Sequence, residues 1–196
     1  MQTSALSMDD LLKKAATLHE LAQYCNRYLG PNVVKGEKLV FGEGPSSAKI
    51  MIIGEAPGVQ EAKTGQPFVG SSGQLLTKLL HQIGLKREQI YISNILKTHP
   101  PGNRKPHRSE IKRELPFLLR QIELLQPQLL VLLGATALQA LLDPNAKITK
   151  LRGQWLEIKN LPTFVTYHPA AALRDETKKA ALAQDFASLQ GYLESR

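Results

Sequence analysis

Three side chains far apart in the sequence carry groups that a planar heterocycle could meet: Phe68, Asn94 and His168. An aromatic ring inside a polar loop either plugs that loop into the core or offers a face on which a base stacks. An asparagine closing an apolar strand either pins a turn or presents a donor and an acceptor together to a base edge. A histidine followed by proline at another strand end is either structural or a hydrogen-bond partner for a reacting atom. The chemistry suggested by all three together is recognition of a flat, polar ring.

Phe68 lies in GEAPGVQEAKTGQPFVGSSG, residues 54–73, a stretch of twenty residues with five glycines. It separates an apolar run that reads as a strand from a pattern that reads as a helix. Such connections are usually a handful of residues, and a longer one is more often a working part than an idle excursion. Glycine gathers where backbone turns sharply or lies against a ligand. The stretch is therefore read as the wall of a pocket. Two phosphate-binding patterns are excluded. A Walker loop needs Gly-Lys-Ser/Thr at the helix start, and SSGQLL has no lysine. A dinucleotide-binding turn is far tighter than this loop. Ser71 and Ser72 could still offer backbone amides to a phosphate at the helix start.

A second unusual piece is KTHPPGNRKPHRSEIKR, residues 97–113, with a net charge of +5. A charge run is often a solvated face. Here prolines and a glycine stiffen it, and it leaves the same sheet edge as Asn94. Lys97, Asn103, Arg104 and Lys105 are accordingly read as phosphate contacts.

Alternating patterns supply the elements that must position these groups. AKIMIIG (48–54), QIYISNI (89–95), QLLVLLG (128–134) and LPTFVTYH (161–168) read as strands. Helices are expected over 8–28, 73–84, 109–126, 135–142 and 176–194, with Ser109 as an N-cap and Pro116 as a kink or break. KLRGQWLEI adds a short hairpin or edge strand. The order predicts an α/β fold: a three-layer sandwich with a mostly parallel central sheet of about four strands flanked by helices. Ligands bind such sheets beyond the carboxyl ends of their strands. GEAPG, Asn94, the GAT after the third strand and His168-Pro169 all fall there.

The 196 residues are read as one domain, with 1–30 as an N-terminal helical segment packed on it. Twenty-five Lys and Arg against seventeen Asp and Glu give +8, which favours a polyanionic partner. The single cysteine, Cys25, excludes an internal disulfide and lies on an apolar helical stripe, as a buried thiol would. No signal-like start or membrane-length apolar run is present, so a cytoplasmic monomer without a membrane role is expected.

At these residues the sequence resembles the uracil-DNA glycosylase superfamily, and its family four branch in particular. GEAPG followed by GQPFVGSSGQLL matches that branch's opening loop nearly position by position, and KTHPPGNRKP, LLGATAL and HPAAALR match its later motifs in order. The resemblance covers about residues 38–192. It implies hydrolysis of the N-glycosidic bond of deoxyuridine in DNA after the nucleotide is flipped out. Phe68 would stack on uracil, Asn94 would read its edge, and His168 would bond the oxygen on which charge gathers. Gly54, Glu55, Ala56, Pro57 and Gly58 would form the loop holding the attacking water. Leu173 and Arg174 would lie where the superfamily inserts a residue into the gap left by the base. The other reading of Leu173 is the core face of the last helix.

The sequence departs from the pattern in three places. Ala56 stands where the better-known branch has an aspartate, so either Glu55 or backbone carbonyls orient the water or the enzyme relies chiefly on leaving-group stabilisation, with Glu61 as a brace of the loop. Gly58 stands where that branch has a tyrosine against thymine. The branch's four-iron cluster sits on cysteines, and two of those positions are here Thr98 and Glu114. A cluster needs thiolates, so a cluster-free protein with no cofactor and no metal is expected. Two rivals stay open: a relative that binds uracil-containing DNA without cutting it, and an unrelated α/β nucleotide-binding protein.

Overall fold

The protein is described by a computed structural model, in which residues 12–195 are placed. Its centre is a five-stranded sheet in the order β2-β1-β3-β5-β4. The strands are β1 (Ile50–Gly54), β2 (Tyr91–Asn94), β3 (Leu129–Leu133), β4 (Trp155–Ile158) and β5 (Leu161–Thr166). β2, β1, β3 and β5 run parallel, and β4 pairs antiparallel with β5 as an edge strand. The four parallel strands are those read from the sequence. The fifth is the hairpin partner that KLRGQWLEI suggests.

The helices are α1 (Leu18–Leu29), α2 (Val59–Thr64), α3 (Ser71–Gln82), α4 (Arg108–Leu125), α5 (Ala135–Leu141), α6 (Ile148–Leu151), α7 (Pro169–Ala172) and α8 (Glu176–Glu194). β1 and β3 are apolar throughout because both their faces are covered. Ile52, Val131 and Phe164 point to one side and pack with Leu76 and Leu80 of α3 and Phe186 of α8. Met51, Ile53, Leu130 and Val165 point to the other and pack with Leu118 and Ile122 of α4 and Leu138 of α5. Alternation with period two along each strand thus separates two helical layers. A third cluster seats Leu21, Cys25 and Leu29 of α1 against Phe117 of α4. Burial there pushes the Cys25 thiol up to about 12, which leaves it an inert core group.

Several boundaries differ from the sequence reading. The expected helix over 8–28 is interrupted: residues 12–14 are helical, and α1 then starts afresh after Thr17. Thr17 accepts from the Glu20 amide at 3.1 Å, an N-cap that a purely apolar stripe does not reveal. The part before residue 12 lies outside the described residues. α4 continues through Pro116 and is capped at His107, not Ser109, with Glu110 accepting from the His107 amide at 2.7 Å. The long glycine-rich stretch contains a short helix, α2, that its composition hides.

Candidate active site

β1 leads to β2 on one side of the sheet and β3 lies on the other, so the crevice between the ends of β1 and β3 is a switch point. Gly54 closes β1 and is in register with Asn94, the last residue of β2. A Cβ placed on Gly54 would lie 2.5 Å from Cζ of Phe68 and would also overlap Oδ1 of Asn94. The ring and the amide therefore converge over one glycine. Phe68 has φ 52, the left-handed region that a bulky residue rarely enters, and only 5% of it is exposed.

His168 arrives from the end of β5 and caps α7, its Nδ1 accepting from the Ala170 amide at 3.1 Å. Its ring centroid lies 5.5 Å from that of Phe68, the planes tilted by 31°. Gly134, at φ 92, makes room for it: a Cβ there would sit 2.9 Å from Cβ of His168. Burial pushes the imidazole down to about 4, against a weaker upward pull from Glu61. The ring is thus neutral near pH 7. Because Nδ1 accepts, the proton belongs on Nε2, which leaves one N–H to donate.

These groups line a cavity of about 520 Å³ together with Glu55, Ala56, Pro57, Gly58, Ser71, Ser72, Asn103, Arg104 and Arg174. Asn94 Oδ1 is buried and has no hydrogen-bond partner among the described residues. Buried acceptors are normally satisfied, and one left bare costs about 1–3 kcal/mol. Glu55 receives a hydrogen bond from the Thr136 hydroxyl at the start of α5, which ties the loop after β1 to the turn after β3. Thr136 lies within the GAT turn, but its partner cannot be read from that motif. Glu61 is a brace. One oxygen accepts from the Val69 and Gly70 amides at 2.8 and 2.7 Å, and the other accepts from the Gly58 amide at 3.1 Å. Both ends of the glycine-rich stretch are thereby fastened to one carboxylate.

The basic loop needs a correction. Lys97 cannot touch phosphate, because it is 0% exposed. Its ammonium donates to Ser93 Oγ at 2.6 Å, the Asn94 carbonyl at 2.8 Å and Gln121 Oε1 at 2.6 Å. Burial lowers its pKa to about 7. Beside it, the buried Glu114 carboxylate accepts from the Lys97 and Thr98 amides at 2.6 and 3.0 Å and from the Thr98 hydroxyl at 2.7 Å. Arg104 lines the cavity but is held by Glu110 in a bidentate pair, both bonds 2.8 Å. That hydrogen bonding, above all, pulls Glu110 down to about 2. Asn103 Oδ1 accepts from His99 Nε2 at 2.9 Å. Lys105 and Arg174 are exposed, and Arg174 stands at the cavity rim. Leu173 follows α7 and is 49% exposed, so it is not part of the core face of α8.

The model of the uracil DNA glycosylase superfamily matches residues 41–190. The chain belongs to that superfamily. It is 37% identical to the Type-4 uracil-DNA glycosylase of Pyrobaculum aerophilum, over 89% of this chain and 92% of the relative. It is 45% identical to the Type-4 uracil-DNA glycosylase of Thermotoga maritima, over 72% of this chain and 74% of the relative. It is 41% identical to that of Sulfurisphaera tokodaii, over 77% and 73%. The resemblance drawn from the motifs and the α/β architecture expected from them both hold.

The cofactor expectation is corrected by the same relatives. They are Type-4 enzymes, the branch that the motifs associate with a four-iron cluster, so membership does not support a cofactor-free lineage. The residues of this chain do not fit the cluster either. Thr98 and Glu114 are hydrogen-bonded to each other, Cys25 is packed among leucines, and no group of three or more His, Cys, Asp and Glu among the described residues could hold a metal ion.

Proposed function

We propose that this protein hydrolyses the N-glycosidic bond of deoxyuridine in DNA, releasing uracil and leaving an abasic site. The observation that carries the proposal is the bare Oδ1 of Asn94, a buried acceptor beside an aromatic face at the bottom of a cavity. Uracil has an N3–H to give it, and cytosine does not. The amide nitrogen of Asn94 then donates to O4, so one side chain tests both groups that separate the two bases. Phe68 lies under the ring.

The reaction forms a bond from water to C1′ and breaks the C1′–N1 bond, whose electron pair leaves on the uracil ring. The sugar passes through an oxocarbenium-like state. Nε2–H of His168 donates to O2 of the base, where the developing charge is greatest. One such oriented donor is worth about 2.7–4 kcal/mol in the transition state. Glu55, tied by Thr136, holds the water and takes its proton, and Glu61 keeps the loop closed around it. The base reaches this site only if flipped from the stack. Ser71, Ser72, Lys105 and Arg174 carry the adjoining phosphates, and Leu173 enters the gap. No helix among the described residues is long and apolar enough to cross a membrane. We place the protein in the cytoplasm as a monomer, with α1 and the main body acting as one domain.

The test uses single- and double-stranded oligonucleotides carrying one deoxyuridine, with alkali-labile abasic sites as the readout. Strand scission in the wild type that disappears in Asn94→Ala and His168→Ala supports the assignment. Retention of the uracil-containing oligonucleotide without scission would show a binding protein instead.

A further inference from the structure

Arg87 lies in a short turn before β2, away from the cavity lining, yet both of its terminal nitrogens are spent on the aromatic loop. One donates to the Phe68 carbonyl at 2.9 Å and the other to the carbonyl of Pro67. The peptide unit between Phe68 and Val69 is consequently gripped at both ends. Its C=O accepts from the Arg87 guanidinium, and its N–H donates to the Glu61 carboxylate at 2.8 Å. Opposite charges on the two ends of one amide fix the plane of that amide. The plane sets ψ of Phe68, and with it the direction of the ring. Helix α3 closes in from the same side: a Cβ on Gly73 would overlap the Phe68 carbonyl.

Such a grip has a reason. An aromatic residue at φ 52 is in a sparsely populated conformation, which persists only where the surroundings over-determine it. Arg87 is itself held. Glu43 lies 3.8 Å from its guanidinium and accepts from Gln66 of the loop at 3.1 Å. The Glu43 backbone is bridged to Ile92 of β2. The restraint therefore runs from the sheet through Glu43 and Arg87 to the loop.

We infer that Arg87 is a positioning residue of the site: by holding the carbonyls of Pro67 and Phe68, it keeps the Phe68 ring in the orientation on which the flipped base stacks. This rests on the reading of Phe68 as the base platform. Without the guanidinium the carbonyl turns outward, φ relaxes to a common value, and the ring swings away from His168.

The experiment makes Arg87→Met and Arg87→Lys in the wild-type and Phe68→Ala backgrounds. Single-turnover uracil release and inhibition by free uracil are measured, with thermal melts as a control on folding. A misplacement of about 1 Å at a reacting group can cost about a hundredfold. Arg87→Met should therefore lose about 10- to 100-fold in rate and bind free uracil correspondingly less well. Arg87→Lys, which keeps the charge but reaches one carbonyl, should lose less and stay folded. In Phe68→Ala the same substitutions should cost less than about threefold, because the group through which Arg87 acts is gone. Equal losses in both backgrounds, or unchanged uracil inhibition in a folded Arg87→Lys, would overturn the inference and leave the glycosylase reading intact. If the wild type cuts nothing, the same cycle is read in its preference for a uracil-containing over a thymine-containing oligonucleotide. Coupling there supports Arg87, and no preference at all overturns both readings.

Discussion

Gly54→Ala tests whether the cavity depends on the approach of two side chains, Phe68 and Asn94, over one backbone position. The added methyl would lie 2.5 Å from Cζ and 2.7 Å from Cε2 of Phe68, where ordinary contact is 3.4–4 Å. The ring must therefore withdraw by about 1 Å, since carbon atoms attract only near 3.5–4.0 Å. Asn94 Oδ1 is displaced from the other side. β1 cannot yield instead, because it is paired with β2 on one edge and β3 on the other. Gly54 is not among the positive-φ glycines, so alanine strains the backbone no further and the effect is one of space. A 1 Å error in both the platform and the reader should cost about a hundredfold in single-turnover uracil release, about 2.7 kcal/mol. Overpacking of this kind also destabilises by about 1–3 kcal/mol. The assay is uracil release at saturating protein, with the melting temperature taken in parallel. A folded Gly54→Ala protein within about threefold of the wild-type rate would refute the claim that Phe68 and Asn94 meet the base at these positions.

Three further outcomes follow from the same geometry. The His168 imidazole titrates at about 4 when folded against an ordinary 6.5, so between those values the unfolded chain binds the extra proton. Its contribution to stability rises with pH across that window and falls away on acidification. Melting temperatures of wild type and His168→Ala should differ by a constant amount above about pH 6.5, where only the lost contacts of the neutral ring count, and the wild type should fall more steeply than the variant between about pH 6.5 and about pH 4; parallel curves would contradict a buried neutral ring. Lys97→Met should leave the salt dependence of DNA affinity unchanged and lower stability by about 1–3 kcal/mol, because the Asn94 carbonyl loses its ammonium donor while Gln121 Oε1 keeps only the Ser93 hydroxyl. Lys105→Ala should instead reduce the salt slope by about one, which binding titrations at several salt concentrations would measure. Leu173→Ala should slow uracil release from duplex DNA and spare release from single strands, where no stack is left to fill. Equal effects on both substrates would remove Leu173 from the duplex.

Much of this was legible in the sequence because it follows from strand ends. Apolar runs located β1, β2, β3 and β5 to within two residues, and a parallel sheet brings their carboxyl ends together whatever the side chains do. Glu55, Asn94 and His168 were therefore expected at one edge of the sheet without knowing which residue touches which, and all three line the same cavity. What stayed hidden was pairing across distance. Thr136 and Arg87 act on the loop after β1 from 81 and about 20 residues away, through hydrogen bonds that no local pattern encodes. Lys97 shows the opposite error. Within a run of cations it reads as one more surface charge, but it lies one turn beyond Asn94, and its stem reaches inward to Ser93 and Gln121. Charge patterning reports composition, and burial depends on acceptors supplied by α4.

Phe68 has two readings in the sequence, and each makes a different demand on its surroundings. As an anchor it should be buried, and as a platform it should be open. It is 5% exposed and still lines the cavity, so the face it turns to the cavity is small and everything behind it is packed. A platform that had to be ordered on binding would lose the cost of that ordering from its affinity. Here the ordering is done beforehand, by Glu61 and Arg87 on the backbone and by Gly54 and Gly73 beneath it. The left-handed backbone at Phe68 is thus the strained point of a preformed surface, and the glycines around it are the space that surface requires.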